Sequence, residues 1–276
     1  MHKLCITRRW VTSPIRPLSL DHVVDEKLRG AQLKLVVARV QHEQLMAATD
    51  AGKALAISER LHDSFKGPRP MAVPGMVLQV GGLQTAGAAP AVNLGAWQYI
   101  SEAKDWVATV APDFFSIETQ SYESWDEFRA RLDQLVKAVS EVLSPTLLQR
   151  VGLRYFDELR VPGITAASEW SGRIAPHFLG AANDPNVGAS VTGIQQAVEM
   201  QGPKGTKVTL RHGTARAVDG QPVYLLDHDC YIEDSGRFDA ATLGAAYNQL
   251  HTLALGVFQR AITGDYYRQL KEGGLQ

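Results

Sequence analysis

The chain has 276 residues and a mass of 30.1 kDa, and 45% of its residues are hydrophobic, which is enough apolar material for a large core. Its 28 Lys and Arg against 29 Asp and Glu give a formal net charge of −1, so it lacks the cationic surplus of a dedicated nucleic-acid binder. The only cysteines, Cys5 and Cys230, are too few for a disulfide framework, which favours a reducing, cytoplasmic compartment.

Residues 1–22 predict an extended N-terminal arm on the surface. Pro14 and Pro17 lie among Ser, Thr and Arg residues there, and a proline disfavours helix at its own position and just before it. The first residues are positively charged without an apolar stretch behind them, so they do not resemble a signal peptide. We expect no membrane span either, because prolines and glycines interrupt the charge-free stretch 71–101, and Asn, Gln and His lie at the centre of 240–259.

Residues 33–40 are rich in aliphatic and β-branched side chains and predict a β-strand. One face of this strand carries three apolar side chains, Leu33, Leu35 and Val37. A helix follows, capped by Thr49 or Asp50 and running to about Phe65. The next segments predict four strands, at residues 76–80, 94–100, 106–110 and 114–119. The second and third of these form a hairpin across a short polar loop.

The stretch from Ser124 to Glu127 predicts the start of a second helix. It has the pattern of a capping box, in which the Ser124 hydroxyl accepts from the Glu127 amide and the Glu127 carboxylate reaches back to the helix start. Apolar residues then recur at helical spacing as far as Val139, which indicates a helix with one buried side.

The second half of the chain predicts more antiparallel sheet and a short helical segment at 166–170. Its strands are predicted at residues 148–160, 190–200, 207–218 and 223–232, the last three as a meander. Asp239 caps a final helix that extends to Ala261. Because this helix is apolar around most of its circumference, it must be covered on more than one side, by a sheet and other helices or by a second copy of the protein.

These elements predict an α+β fold in which long amphipathic helices pack on one face of antiparallel sheet. After the arm at 1–22, residues 23–276 form a single domain. Strands followed by a capped helix occur twice along the chain. Two similar halves, residues 23–160 and 161–276, are therefore an alternative organisation of this domain.

Reactive side chains are most concentrated in the stretch Asp227-His228-Asp229-Cys230. Alternation along a strand places the two aspartates on one face and His228 and Cys230 on the other, so the four cannot converge on one ion. Asp227 and Asp229 could hold Mg²⁺ or Mn²⁺ with ligands from elsewhere, but such carboxylates more often pair with arginines or face water. His228 is more typical of a hydrogen-bonded core residue than of a base. We therefore expect no metal site.

Arg150, Gly152 and Arg154 share one face of their predicted strand. Two guanidinium groups on one strand can flank an anion, with the glycine leaving room between them. Alternatively, the arginines neutralise Asp227 and Asp229 on a neighbouring strand. We favour this second interpretation because it satisfies both sets of charges without a ligand.

The sequence contains no motif for a cofactor or an activated nucleophile. The small residues at 81–91 lack the Gly-Lys-Ser/Thr of a phosphate loop, no Gly-x-Ser-x-Gly elbow occurs, and the His and Cys spacing is not that of a zinc site. We expect no cofactor, and the missing catalytic constellation favours a protein that is not an enzyme.

Four parts of the chain form a characteristic combination: Phe115–Glu118 with Tyr122–Phe128; Arg150–Tyr155; Leu226–Asp229; and Leu250–His251 with Phe258 and Ile262–Thr263. Together they resemble an uncharacterised, sporadically distributed family of bacterial proteins of similar length. The resemblance covers roughly residues 24–270 and implies a bacterial intracellular protein, with no catalytic residue to transfer. The chain departs from the family pattern at Phe156-Asp157, where members tend to have Asn, and in the extra arm up to His22.

Three functional hypotheses remain. The leading one is a non-catalytic accessory protein that associates with itself or with a protein partner, because no catalytic constellation is evident and the last helix is so apolar. The second is binding or turnover of an anionic small molecule, or metal-dependent chemistry, at Arg150, Arg154, Asp227 and Asp229. The third is a peptide-binding chaperone that uses an exposed sheet face or edge. None of the three involves nucleic acid or a membrane.

Overall fold

The computed structural model describes residues 15–72 and 95–273. Its strands are β1 (Leu33–His42), β2 (Lys66–Ala72), β3 (Gly95–Ile100), β4 (Trp106–Val110), β5 (Phe114–Thr119), β6 (Leu147–Leu159), β7 (Gln195–Gln201), β8 (Lys207–Arg216) and β9 (Pro222–Arg237). Its helices are α1 (Ala51–Leu61), α2 (Trp125–Leu143), α3 (Pro176–Leu179), α4 (Ala240–Ala261) and α5 (Gly264–Glu272). The predicted α+β class is confirmed. Within the two ranges, no helix is both long and apolar enough to cross a membrane.

The nine described strands form one antiparallel sheet in the order β2-β3-β4-β5-β1-β6-β9-β8-β7. The order of elements repeats around the central pair β1 and β6. Each of these two strands pairs outward with the last strand of a meander, β3-β4-β5 or β7-β8-β9, and each meander leads into a long helix, α2 or α4. The second repeat therefore begins with β6, whereas the predicted boundary between the two halves follows that strand, after residue 160. The division of the domain stays a prediction.

One face of the sheet carries all five described helices, whose buried side chains form a single core cluster with the strand residues on that side. In β1 the core side is Val36, Ala38 and Val40, all fully buried. Leu35 and Val37, which belong to the predicted apolar face, lie half-buried on the opposite side of the sheet. Both faces of this strand are apolar, so alternation alone did not identify the core side.

Capping side chains start the helices where the sequence predicts. Asp50 accepts from the Lys53 amide at 2.8 Å, and Ser124 accepts from the Glu127 amide at 3.2 Å, so each satisfies one of the free amides at a helix start. The full capping box does not form. The Glu127 carboxylate instead accepts from Arg131, one turn further along α2, at 3.1 Å.

Several helices and strands differ from prediction. α1 ends at Leu61 because a turn follows, which returns Phe65 to the core. β7 begins at Gln195, five residues after the predicted start, and a 3-10 turn at Gly188–Ser190 overlaps the start of the predicted strand. α5 was not predicted, and it begins where Thr263 accepts from the Tyr266 amide at 3.2 Å. The predicted strand at 76–80 and the loop after it lie outside the described residues.

The N-terminal strap, defined as residues 15–31, covers the apolar helix α4. Leu20 packs against Gly256, where an added Cβ would come within 2.6 Å of the leucine Cδ2. The Gln259 side chain accepts from the Val24 amide at 3.2 Å and donates to the Val24 carbonyl. The strap, the sheet and the other helices thus enclose α4 within one chain. Burial of its apolar surface therefore does not require a second copy of the protein.

Candidate functional site

The four predicted site residues all lie on the helix-free face, defined as the sheet face opposite the helices. Arg150 and Arg154 are on β6, and Asp227 and Asp229 are on the neighbouring strand β9. Antiparallel pairing places Arg154 directly opposite Asp229. The strand register therefore brings each guanidinium group within reach of one of the two carboxylates.

Each arginine binds a different aspartate. Arg154 donates from Nε to Asp227 Oδ1 at 2.6 Å and from Nη2 to Oδ2 at 2.7 Å, the bidentate geometry of a strong Arg–carboxylate pair. The Asp227 carboxylate raises the pKa of Arg154 above its ordinary value. Arg150 Nη2 lies 3.0 and 3.2 Å from the two oxygens of Asp229. The predicted ion pairing between the two strands is confirmed.

The space beside Gly152 is occupied by the protein itself. A Cβ at this position would lie 2.9 Å from Nη1 of Arg150, so the glycine allows the Arg150 side chain to fold back across its own strand. The guanidinium carbon also lies 4.4 Å from the ring centroid of Tyr231, a cation–π contact. The room predicted for an anion is therefore filled by Arg150.

His228 and Cys230 point to the opposite, helix-bearing face, as alternation predicts. His228 is buried, and neither ring nitrogen has a hydrogen-bond partner. Its Nδ1 lies 3.9 Å from Oδ2 of Asp157, which is too far for a hydrogen bond. Burial raises the pKa of Asp157 to about 7 and lowers the pKa of His228 to about 4, so both side chains are mostly uncharged between these values. Attraction between the charged forms would oppose both shifts, but at this separation burial prevails.

In the described part of the chain, these groups are not joined by a third His, Cys, Asp or Glu side chain that would complete a set of metal ligands. The described residues contain no group of three or more His, Cys, Asp or Glu side chains that could hold an ion. Burial also raises the pKa of the Cys230 thiol, which disfavours the thiolate needed for metal binding or nucleophilic attack.

A hydrogen-bonded chain of Asp25, His251 and Tyr155 links the N-terminal strap to the core. His251 Nε2 lies 3.2 Å from Asp25 Oδ2, and its Nδ1 lies 2.8 Å from the Tyr155 hydroxyl. Burial lowers the pKa of His251, so the neutral ring donates to Asp25 and accepts from Tyr155. Tyr155 is buried, and the ring of Trp125 stacks on His251 with the two ring centroids 4.2 Å apart. The chain resembles a catalytic relay, but it ends at a buried hydroxyl.

The two edges of the described sheet differ in character. β2 contains Pro68 and Pro70, which have no amide N–H, together with Lys66 and Arg69. Prolines and charged side chains are the usual protection of a sheet edge against pairing with another chain. β7 has the sequence QQAVEMQ, with no proline and a single charge at Glu199. The β7 edge therefore lacks the protection that the β2 edge has.

The outward backbone groups of β7 can be assigned from one contact. The Leu18 amide donates to the Gln201 carbonyl at 2.7 Å, so the polar groups of Gln201 point away from β8. In an antiparallel pair these groups alternate with a period of two. Gln195, Ala197 and Glu199 therefore also direct their N–H and C=O groups outward, and the described backbone offers these groups no partner.

A groove of about 310 Å³ runs beside β7 on the helix-bearing side. Its apolar lining comes from four parts of the chain: Leu18 of the strap, Phe178 of α3, Val198 and Met200 of β7, and Val257 of α4. Its polar lining consists of His177, Gln196 and Arg260, without a carboxylate. An unprotected strand edge and an apolar groove thus lie side by side.

Sequence reasoning missed this edge and groove as a site. The meander that contains β7 was predicted, but the position of a strand in the sheet order depends on pairings between distant segments. No protein-family model matches this chain, and no curated protein is significantly similar to it. The resemblance to the bacterial family therefore stays a prediction.

Proposed function

We propose that the protein is a non-catalytic binding protein that associates with a partner by accepting an extended segment as an additional strand beside β7. The observation that carries this proposal is the contrast between the edges: β2 is blocked by Pro68 and Pro70, whereas β7 is regular along its whole length and has no such protection.

Backbone pairing would supply the general part of the affinity. Gln195, Ala197 and Glu199 offer alternating N–H and C=O groups along the edge. Each hydrogen bond to an added strand contributes about 0.5–1.5 kcal/mol net, because water is displaced from both partners. Several such bonds in register make strand addition a common mode of peptide recognition.

The groove would supply the second part, through side-chain contact. Side chains of an added strand alternate between the two faces of the sheet, so every second one would enter the groove beside Val198 and Met200. Burial of these side chains contributes roughly 25 cal/mol per Å² of apolar surface.

The remaining candidate residues support binding over catalysis. Arg150 and Arg154 already have Asp229 and Asp227 as partners, which leaves the anion-binding alternative without a free pair of guanidinium groups between the two strands. The Asp25–His251–Tyr155 chain ends in a buried hydroxyl. A chaperone would use the same edge, and it would differ from a specific binder only in accepting many unrelated segments.

The test is a selection of random twelve-residue peptides on phage against the full-length protein, followed by binding measurements on variants. Ala197→Pro removes an outward N–H without touching the ladder to β8, so the fold should persist and binding should fall. Ala197→Val keeps the N–H and should retain binding. Melting curves confirm that both variants are folded. Failure to enrich any peptide, or equal binding to both variants, would count against strand addition.

A further inference from the structure

We infer that the groove beside β7 selects an extended segment of a partner protein that has apolar side chains at two alternate positions and a carboxylate at one end. The inference rests on the proposed strand addition and names the chemistry of the segment.

The walls of the groove account for the apolar positions. Val198 and Met200 are two residues apart on β7 and point to the same side, and Phe178 and Val257 face them from α3 and α4. An added strand has the same two-residue repeat, about 6.6–6.8 Å, so its side chains at positions i and i+2 would fall beside Val198 and Met200. The groove volume of about 310 Å³ suits side chains and excludes a folded element.

The positive charge of Arg260 is the reason to expect a carboxylate in the bound segment. Arg260 donates from Nη1 to the Gly256 carbonyl at 3.0 Å, which uses one of its five N–H donors. The described carboxylates include none within ion-pair distance of Arg260, and none lines the groove. A carboxylate beside Arg260 would form a charge-assisted hydrogen bond at a half-buried side chain, where such bonds are stronger than at an open surface.

The strap limits the length of the segment. The Leu18 amide already occupies the Gln201 carbonyl, and the Leu18 side chain lines the groove at that end. An added strand therefore has the stretch from Gln195 to Glu199 to pair with. The side chains of the added strand at the intervening positions would face the helix-free side, next to Ala197 and Glu199, where polar residues are tolerated.

Fluorescence anisotropy with labelled peptides tests this chemistry on the full-length protein. The probes are Ser-Leu-Thr-Leu-Thr-Asp and the reverse order, the same peptides with Lys in place of Asp, and the same peptides with Ser in place of both leucines. We expect one of the acidic peptides to bind at least about tenfold more tightly than its lysine and serine counterparts. Arg260→Glu should reverse the preference between Asp and Lys, whereas Arg260→Gln should remove it.

The controls separate this inference from the proposed function. If the acidic and lysine peptides bind equally, or if Arg260→Glu has no effect, the carboxylate inference fails. Strand addition still stands in that case, provided that Ala197→Pro abolishes binding. A peptide of residues 195–201 stands in for a second copy of the chain. If it binds more tightly than the acidic peptides, the occupant is another copy of this protein, and the inferred partner is wrong.

Discussion

Arg154 and Asp227 join β6 to β9 through two parallel hydrogen bonds of 2.6 and 2.7 Å. The two ends differ in exposure: 45% of the Arg154 side chain is accessible to solvent, but only 9% of the Asp227 side chain is. Removal of the arginine would therefore leave a nearly buried carboxylate without its main partner, while Arg211 Nη1, at 3.9 Å from Asp227 Oδ2, offers partial compensation.

We expect Arg154→Ala to lower the free energy of unfolding by about 1–3 kcal/mol, measured by urea denaturation. The lower end of this range allows for solvent screening at the exposed arginine. Arg60→Ala is the matched control, because it breaks the pair with Glu141 in which both side chains are exposed, and it should cost clearly less than Arg154→Ala. Equal losses for the two variants would contradict a structural role for the Arg154–Asp227 pair.

Gly152→Ala tests whether Arg150 needs the space beside its own strand. The new Cβ would lie 2.9 Å from Nη1 of Arg150, so the guanidinium would have to move away from Asp229. We expect a loss of about 1 kcal/mol, because the side chain is flexible enough to adjust. In an Arg150→Ala background the same substitution should cost almost nothing. Additive losses in the double variant would show that the glycine acts independently of Arg150.

Asp157 should make stability depend on pH. Burial raises its pKa from 3.8 to about 7, so the folded state binds a proton that the unfolded state has released. Stability from this group is present in full below about pH 4 and is lost as the pH rises towards 7, by a few kcal/mol at most. Asp157→Asn should remove this loss, so that the variant gains stability over the wild type between pH 5 and 8.

Urea denaturation at pH 5, 6.5 and 8 measures the effect of Asp157. His228 has the opposite effect on the pH dependence of stability. Burial lowers its pKa from 6.5 to about 4, so the stability that it contributes is lost as the pH falls from 6.5 towards 4. His228 is unchanged in the Asp157→Asn variant, so the difference between variant and wild type isolates the aspartate. A difference that stays constant from pH 5 to 8 would contradict the raised pKa of Asp157.

Gln259→Ala should loosen the strap without unfolding the protein. The Gln259 side chain holds both backbone groups of Val24, so its removal should speed hydrogen exchange of the Val24 amide by about tenfold. Thr252→Ala is the control on the same helix, because the Thr252 hydroxyl donates only to the Asn248 carbonyl of α4. Exchange at Val24 that is equally fast in both variants would mean that Gln259 does not hold the strap.

Elements with strong local signals were predictable from the sequence. β4 and β5 occur at the predicted residues, Ser124 starts α2, and alternation separates Asp229 from His228. Such features are determined by residues that are close together in the chain, so they can be recognised in a single sequence. The Arg–Asp pairs were also predictable, because two arginines on one strand and two aspartates on a neighbouring strand can neutralise each other.

Features that depend on distant segments were not predictable. Asp25 and His251 are 226 positions apart, and no pattern within either segment indicates the other. The contact between Leu20 and Gly256 and the edge position of β7 likewise follow from the folded topology. α5 was missed because its nine residues are mostly polar, and only Tyr266 and Leu270 are buried.

Hydrogen exchange along β7, with and without a peptide from the phage selection, is the most direct test of the central claim. Strand addition predicts that the outward amides of Ala197 and Glu199 become protected when the peptide binds, while the amides of β6, at the centre of the sheet, do not change. If the peptide binds and leaves Ala197 and Glu199 unprotected, the partner occupies another surface and the edge of β7 is not the binding site.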